Sequence, residues 1–251
     1  MQIIGMKEEK RIAMVTGKQA ERVDPLSEFT GKGVKIAVLD SGVNVYHSHI
    51  DQELEGLAFR VNREGGIEPH EDIRDYLGHG TAVTAVMRQM VPEAEILVGK
   101  IFDEKLACYP SVLAEAIDWA VDQEAHIINL SLGVNRSYQV IEEACAAAIE
   151  KGVAVVASYN EQTGLLWPAN YPGVFGVRAG EVPRMEWQLN APNDFSACGY
   201  PRELPKETQI YNIHGHSFAA AHFTSWLARL FEKQEGKTVQ DAMPYFHQYV
   251  R

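Results

Sequence analysis

Apolar residues follow two alternating patterns along the chain. From Lys32 onward, short runs rich in β-branched residues alternate with longer segments in which apolar positions recur every three or four residues. The short runs predict strands buried on both faces, and the longer segments predict amphipathic helices. The predicted strands are 34–39, 95–101, 126–132 and 153–157, and the predicted helices are 81–90, 112–123 and 138–151.

The segment 138–151 shows the helical pattern most clearly. Its apolar residues form one stripe of a helix: Val140, Ile141, Ala144, Cys145, Ala148 and Ile149. Gly152 follows as a residue that commonly ends helices. Because strands and helices alternate, we predict an α/β fold, a parallel β-sheet with helices on both faces. Functional residues in such a fold lie beyond the carboxyl ends of the strands.

Two stretches depart from this alternation. Residues 1–31 are polar apart from a short apolar run at 12–15, and we interpret them as an N-terminal extension wrapped on one folded domain at 32–251. Residues 181–214 contain many prolines and little periodicity, which predicts a looped segment within that domain. A chain of 251 residues, 46% of them hydrophobic, is long enough for one large domain with a sizeable core.

The charge balance narrows the possible partners. With 23 Lys+Arg and 34 Asp+Glu, the formal net charge is −11. We therefore expect no nucleic acid partner, because phosphate contacts need a basic face, and no membrane association through a polybasic patch. The N-terminus has no apolar run typical of a secretory signal, and no window approaches the roughly 18 apolar residues of a membrane span.

The number and spacing of the cysteines indicate the redox state of the compartment. Cys108, Cys145 and Cys198 include no CxxC pair. An odd number of this kind predicts free thiols in a reducing compartment, or at most one intramolecular bridge. A cytoplasmic location is the simplest interpretation.

Three polar residues stand at the predicted ends of regular elements. Asp40 ends the first strand in VKIAVLDSG, His79 opens a helix in LGHGTAV, and Ser217 opens another in IHGHSFAAAHF. A serine hydroxyl becomes an effective nucleophile when an imidazole takes its proton, and a carboxylate holds the imidazole tautomer and stabilises its cation. Taken singly, each residue has a structural explanation as a turn residue, a space filler or a helix cap.

The chain resembles the subtilisin-like serine peptidases (subtilases, peptidase family S8) from about Lys32 to about Ala228. The order Asp–His–Ser is that of subtilisin. The matching stretches are KIAVLDSGV, HGTAV, AHIINLSLG, GVAVVASYNEQ, WPANYPGVFGV, NDFSACG and GHSFAAAHF. The resemblance implies a three-layer α/β/α subtilase-like catalytic domain and a serine endopeptidase that hydrolyses peptide bonds through an acyl-enzyme.

The resemblance also implies a role for each matching residue. Asp40 orients the imidazole, His79 acts as general base and then general acid, and Ser217 attacks the scissile carbonyl. Asn160 occupies the position of the asparagine that binds the oxyanion. The segment Ser131, Leu132 and Gly133 matches the substrate-binding edge that pairs with an extended peptide.

Several positions depart from the family pattern. Ala82 replaces a second histidine after HGT, Ala221 replaces a proline, and His216 replaces a small residue before the nucleophile. The long calcium-wrapping loop is missing after Met87, and His49 stands where the family places a carboxylate. Because calcium prefers oxygen ligands, we expect no metal, no other cofactor and no calcium requirement.

Other side chains offer competing chemistry. His214, His216 and His222 suggest a metal site, but no cysteine or acid cluster joins them. Cys198 is a rival nucleophile without a suitably placed histidine, so a buried or half-buried thiol is expected. Glu71, Asp72 and Asp75 precede His79 and either favour a basic side chain before the cleaved bond or form a solvated acidic loop.

The expected partner is a peptide or protein substrate, and a processing role on one specific substrate is preferred. Two alternatives stay open: a subtilase-fold protein that binds peptides without cleaving them, and a general intracellular degradative protease. The sequence does not indicate an oligomeric state.

Overall fold

The computed structural model describes residues 26–50, 52–184, 186–234, 238–240 and 246, which form one nine-stranded sheet and four α-helices. The strands are β1 Lys35–Asp40, β2 Glu55–Val61, β3 Ile67–His70, β4 Glu95–Lys100, β5 Ile127–Leu130, β6 Ala154–Ser158, β7 Phe175–Gly180, β8 Trp187–Ala191 and β9 Asp194–Cys198. The helices are α1 His79–Met90, α2 Pro110–Asp122, α3 Gln139–Glu150 and α4 His216–Lys233.

The sheet is parallel except at its edges. Its order is β3-β2-β4-β1-β5-β6-β7-β9-β8, and only the outermost pairs, β2–β3 and β8–β9, are antiparallel. The four predicted strands and three predicted helices are confirmed to within a few residues. Gly152 has a φ of +86°, as expected of a glycine that ends a helix.

The prediction of a looped segment over 181–214 is wrong for its middle part. There β8 and β9 form a hairpin whose turn contains Asn193 in the left-handed region, with a φ of +60°. In β8 the apolar side chains of Trp187 and Leu189 are half-buried, whereas Gln188 and Asn190 are exposed. This two-residue alternation is typical of an edge strand, but it is short and was hidden by the neighbouring prolines.

The helices cover both faces of the sheet. One apolar cluster joins α1 and α4 to one face of the central strands, and a second joins α2 and α3 to the other face. The strands between these clusters are almost fully buried, which explains their continuous hydrophobic runs. The fold is therefore the three-layer α/β/α arrangement expected from the sequence.

The end of the predicted N-terminal extension packs on the domain. Leu26 is fully buried in the cluster beneath α1 and α4. The backbone N–H groups of Thr30, Gly31 and Lys32 all donate to one carboxylate oxygen of Glu232 near the end of α4. Residues 1–25 of the extension, with the apolar run at 12–15, lie outside the described residues.

Two further features concern membrane-spanning helices and the cysteines. Within the described ranges, no helix has both the length and the apolar character needed to cross a membrane. Cys108, Cys145 and Cys198 are all free.

Candidate active site

The first strand ends in a buried carboxylate at the carboxyl edge of the sheet. The side chain of Asp40 is 1% exposed, and its Oδ1 accepts a 2.7 Å hydrogen bond from the N–H of Ser41. The first turn of α1 packs directly against it. A Cβ atom at Gly80 would lie 2.3 Å from the carbonyl oxygen of Gly42, so the close approach of α1 requires glycine at this position.

The first residue of α1 is paired with this carboxylate. The Nδ1 of His79 donates to Oδ1 of Asp40 over 2.7 Å. This hydrogen bond assigns the proton of the neutral imidazole to Nδ1 and leaves Nε2 able to accept one. Burial lowers the pKa of His79, but the hydrogen bond and the negative charges of Asp40 and Asp75 outweigh it, so the pKa is raised above its ordinary 6.5.

Asp75 organises the loop that leads into α1, and the sequence analysis missed this role. Its carboxylate accepts five hydrogen bonds, from the hydroxyls of Ser41 and Thr81 and from the N–H groups of Leu77, Gly78 and Thr81. These bonds hold the pKa of Asp75 below its ordinary range in spite of burial. A carboxylate four residues before a glycine-flanked helix start is a signal for such capping.

Ser217 lies in the first turn of α4, close to the end of β5. Its hydroxyl donates to the carbonyl oxygen of Ser131 over 2.9 Å, and the Ser131 hydroxyl donates to the carbonyl oxygen of Ser217 over 3.1 Å. No hydrogen bond between Ser217 and His79 is present among the described residues. The Ser217 hydroxyl is therefore engaged by the Ser131 carbonyl and not by His79.

A buried polar chain ties β5 to α4 behind the nucleophile. Asn129, fully buried in β5, donates to the Ser131 hydroxyl over 2.8 Å and accepts from the hydroxyl of Thr224 over 3.0 Å. Because unpaired buried amides are costly, the Thr224 contact fixes β5 against α4, and the Ser131 hydroxyl extends the chain to the Ser217 carbonyl. The sequence analysis missed Asn129, although an asparagine within the apolar run IINL was a visible signal.

Asn160 follows β6 with its amide oriented by a local turn. Its Oδ1 accepts from the N–H groups of Gln162 and Thr163 over 3.0 and 3.3 Å. Both acceptor contacts involve the oxygen, which identifies the other end of the amide as the NH2 group. No acceptor for this NH2 is found within the described part of the chain.

The predicted site residues meet at one cavity of about 380 Å³. His79, Asn160 and Ser217 line it together with the segment Ser131–Gly133, and Asp40 lies directly behind His79. In the described structure no backbone hydrogen bond involves Leu132 or Gly133, which leaves their edge open for pairing with a peptide. The remaining wall is mostly apolar and includes Phe102, Leu106, Leu113 and Ile141.

Competing nucleophiles are suppressed. Burial raises the pKa of Cys108, which lines the cavity, to about 12, so this side chain is a thiol and not a thiolate at neutral pH. Cys198 is buried, as expected, and its sulfur contacts the carbonyl oxygen of Tyr200.

His216, the departure beside the nucleophile, is held in the cavity wall. Its Nδ1 accepts from the N–H of Ala179 over 3.1 Å, which places the proton of the neutral ring on Nε2. Burial and the neighbouring charges of His214 and Arg178 lower the pKa of His216 below 6.5. The side chain is therefore an uncharged hydrogen-bond donor at neutral pH.

The acidic loop before His79 does not border the cavity. Arg74 donates to both carboxylate oxygens of Asp72 at 2.7 and 3.0 Å, and Asp75 faces the helix start. Glu71, Asp72 and Asp75 are all absent from the cavity lining. The structure thus gives no support to the hypothesis that they select a basic side chain.

Comparisons with known proteins agree with this geometry. The sequence model of the subtilase family matches residues 31–243. The chain is 30% identical over 227 residues to the major intracellular serine protease of Bacillus subtilis, covering 82% of this chain and 70% of the relative. It is 32% identical over 220 residues to subtilisin Savinase of Lederbergia lenta, covering 82% and 78%.

Solved structures show the same fold. Sphericase is similar with a TM-score of 0.69 and 21% identity, covering 88% of this chain and 84% of sphericase. The prenylagaramide maturation protease PagA is similar with a TM-score of 0.60 and 21% identity, covering 83% and 77%.

Proposed function

The chain belongs to the subtilase family of serine endopeptidases, and from this we propose that Asp40, His79 and Ser217 form its catalytic triad. The observation that carries the proposal is the 2.7 Å hydrogen bond between His79 and buried Asp40, in the cavity that Ser217 also lines. The described residues thus bring an oriented base and a hydroxyl to the carboxyl edge of the sheet.

The proposed reaction starts with a movement of one hydroxyl. An extended substrate pairs with the edge at Ser131–Gly133, and the Ser217 hydroxyl turns from the Ser131 carbonyl toward Nε2 of His79. Ser217 Oγ then bonds to the scissile carbonyl carbon while His79 takes the proton and Asp40 stabilises the imidazolium. His79 returns that proton to the leaving amine as the peptide bond breaks. Water then hydrolyses the acyl-enzyme by the same steps.

The proposed oxyanion site uses donors from two elements. The Asn160 NH2 group and the backbone N–H of Ser217 donate to the oxygen as it becomes negative. The positive end of the α4 dipole adds to this stabilisation, because Ser217 lies in the first turn of α4.

The apolar cavity wall supports a preference for an apolar side chain on the acyl side of the cleaved bond. Phe102, Leu106, Leu113 and Ile141 offer such a side chain burial from water. Each buried methylene is worth about 0.8 kcal/mol. A charged side chain would lose hydration there without gaining an ion-pair partner from these four residues.

We further propose that the enzyme processes a specific peptide or protein in the cytoplasm. The similarity to a protease named as intracellular supports the location. A maturation protease has the same fold, so the fold accommodates a processing role.

Labelling with a fluorophosphonate tests the central proposal. The wild-type protein should be labelled at Ser217 and should hydrolyse peptides, and Ser217→Ala should lose both properties while keeping its circular dichroism spectrum and melting temperature. A folded wild-type protein that binds peptides but resists labelling would favour the inactive peptide-binding alternative. Digestion of casein at many unrelated sites would favour the degradative alternative over processing.

A further inference from the structure

A second cavity, of about 900 Å³, lies beside the active site. Gly78, Thr81 and Ala82 in the first turn of α1 line it, and His79 between them lines the first cavity. Asn212 and Ile213, shortly before Ser217, line it as well. The two cavities therefore lie on either side of the start of α1, and both are lined by residues close to Ser217 in the chain.

The second cavity is lined by three arginines that form no ion pair within the described part of the chain. Arg88, Arg184 and Arg202 all line it, and no carboxylate among the described residues lies within 4.0 Å of their guanidinium groups. Arg184 donates only to neutral oxygens, of Gln89 and Pro201, and Arg88 donates to the carbonyl oxygen of Pro92. Such a cluster is notable in a chain whose formal net charge is −11.

Two acidic residues also line the cavity. Asp75 uses both carboxylate oxygens on the loop before α1 and on its first turn, so it does not offset the arginines directly. Glu203 is exposed at the rim and lies close enough to Arg184 to raise its pKa, although burial of Arg184 acts more strongly and lowers it. His47 and His49 also line the cavity and are exposed.

The mouth of this cavity is bordered by exposed apolar side chains. Ile210, Tyr211 and Ile213 are 80%, 78% and 57% exposed, and Tyr46, next to the lining residue His47, is 94% exposed. Exposed large apolar groups concentrated in one place mark interaction surfaces. They provide contact area for the segment that carries the charged group.

We infer that the second cavity binds the leaving-group side of the substrate and selects a carboxylate side chain there, an Asp or Glu one to three residues after the cleaved bond. The inference rests on the proposed peptidase function and deepens it. Arg184 and Arg202 make charge-assisted hydrogen bonds to this carboxylate, which are stronger than neutral ones. The apolar residues at the mouth contact the flanking residues of the peptide.

Internally quenched peptides test the inference. Their acyl side is the best sequence from a peptide library. Asp, Asn and Lys are compared in separate series at the first, second and third residues after the cleaved bond, and the series with the strongest preference is used for the variants. We expect kcat/KM for the Asp peptide to exceed that for the isosteric Asn peptide about fivefold and that for the Lys peptide about tenfold, typical of a partly exposed ion pair. Raising the salt concentration should shrink both ratios.

Arginine variants test whether the second cavity causes the preference for the Asp peptide. Arg184→Gln and Arg202→Gln should each lower the Asp-to-Asn ratio toward one, and Arg202→Glu should favour the Lys peptide. Arg63→Gln, on the exposed turn between β2 and β3, is the matched control and should keep the wild-type ratio. Because each ratio compares two peptides on one protein, partial unfolding of a variant does not affect it.

The possible failures are distinguishable. Equal kcat/KM for the Asp, Asn and Lys peptides, or a preference that neither arginine variant alters, would overturn the inference while leaving the peptidase function intact. A wild-type protein that hydrolyses none of these peptides, nor an anilide with the same acyl side, would overturn the proposed function itself.

Discussion

At the scale of single residues, the site depends on which atom of each side chain is already engaged. His79 uses Nδ1 on Asp40 and keeps Nε2 for proton transfer, and Asn160 uses its oxygen in a turn and keeps its NH2 group. Ser217 differs, because its hydroxyl is engaged by the Ser131 carbonyl. In the proposed mechanism, His79 and Asn160 are therefore preorganised, and Ser217 becomes available through rotation about a single bond.

The role of Asn160 is testable because its two ends serve different purposes. Asn160→Ala should lower kcat by about 10²–10³, the usual effect of removing one oxyanion donor. Asn160→Asp keeps the oxygen that accepts from Gln162 and Thr163 but removes the NH2 donor, so its kcat should fall at least as far. Near wild-type kcat in Asn160→Asp would show that the turn matters and the donor does not.

The pH dependence of kcat/KM should report the titration of His79. Only the neutral imidazole acts as a base, and the pKa of His79 is raised above 6.5, so kcat/KM should rise with pH with a midpoint above 6.5. Asp75→Asn removes one of the charges that raise the pKa of His79, so the midpoint should fall. Asp72→Asn, as a control, should leave it in place, and a wild-type midpoint at or below 6.5 would contradict the assignment.

At the scale of elements, α4 links the site to the core. Its N-terminal turn presents His216 and Ser217 to the cavity, and its next turns are buried against α1 and the sheet. Polar side chains inside this contact are individually paired. Thr224 bonds to Asn129, and His222 bonds through Nε2 to the carbonyl oxygen of Tyr200 and contacts the Met90 sulfur with Nδ1.

Burial of His222 should make the stability of the protein sensitive to acid. Its pKa is lowered to about 4, mainly by burial, whereas in the unfolded chain it returns to about 6.5. Between pH 6.5 and pH 4, His222 is therefore protonated in the unfolded chain but stays neutral in the folded protein. The free energy of unfolding consequently falls as the pH drops toward 4. The full contribution is roughly 3 kcal/mol, from about 1.36 kcal/mol per pH unit.

Urea unfolding at pH 7 and pH 4.5 measures this contribution. His222→Gln, which keeps a donor for Tyr200 but does not titrate, should lose less stability between the two pH values than the wild type. His214→Gln changes an exposed histidine of the same region and should behave as the wild type does. Equal losses in wild type and His222→Gln would refute the assignment.

At the scale of the whole molecule, the proposed site residues lie along one edge of the sheet. The carboxyl ends of β1, β5 and β6 deliver Asp40, Ser131 and Asn160, and α1 and α4 bring His79 and Ser217 from one face. The two cavities then lie on either side of the first turn of α1. This arrangement gives the two sides of a substrate different surroundings, apolar on the acyl side and basic on the leaving-group side.

The stability of the whole molecule should not depend on calcium. The sequence resemblance implies that His49 takes the place of a carboxylate of the family, and its ring lies against His47 with centroids 5.2 Å apart. A calcium site filled at a hundredfold excess over Kd would add about 2.7 kcal/mol, or about 5–10 °C in Tm for a chain of this size. We expect Tm and activity to be indifferent to EGTA, and a fall of about ten degrees that calcium restores would contradict this.

Much of the site could be predicted from the sequence because its signals are local. Apolar runs and helical stripes placed the central strands and three helices, and the short motifs around Asp40, His79 and Ser217 placed each residue at the end of an element. Asn160 and Ser131–Gly133 followed from the resemblance. These residues do line one cavity or lie behind it.

Only the tertiary structure determined the contacts between residues that are distant in sequence. The sheet edges β2, β3, β8 and β9 carry short or polar patterns whose strand character comes from pairing with neighbours. The contact of the Ser217 hydroxyl with Ser131 spans 86 positions of the chain, and that of Thr224 with Asn129 spans 95. The cluster of Arg88, Arg184 and Arg202 likewise joins residues from separate segments. Such contacts leave no local periodicity, because they arise from the packing of separate elements and not from the conformation of one.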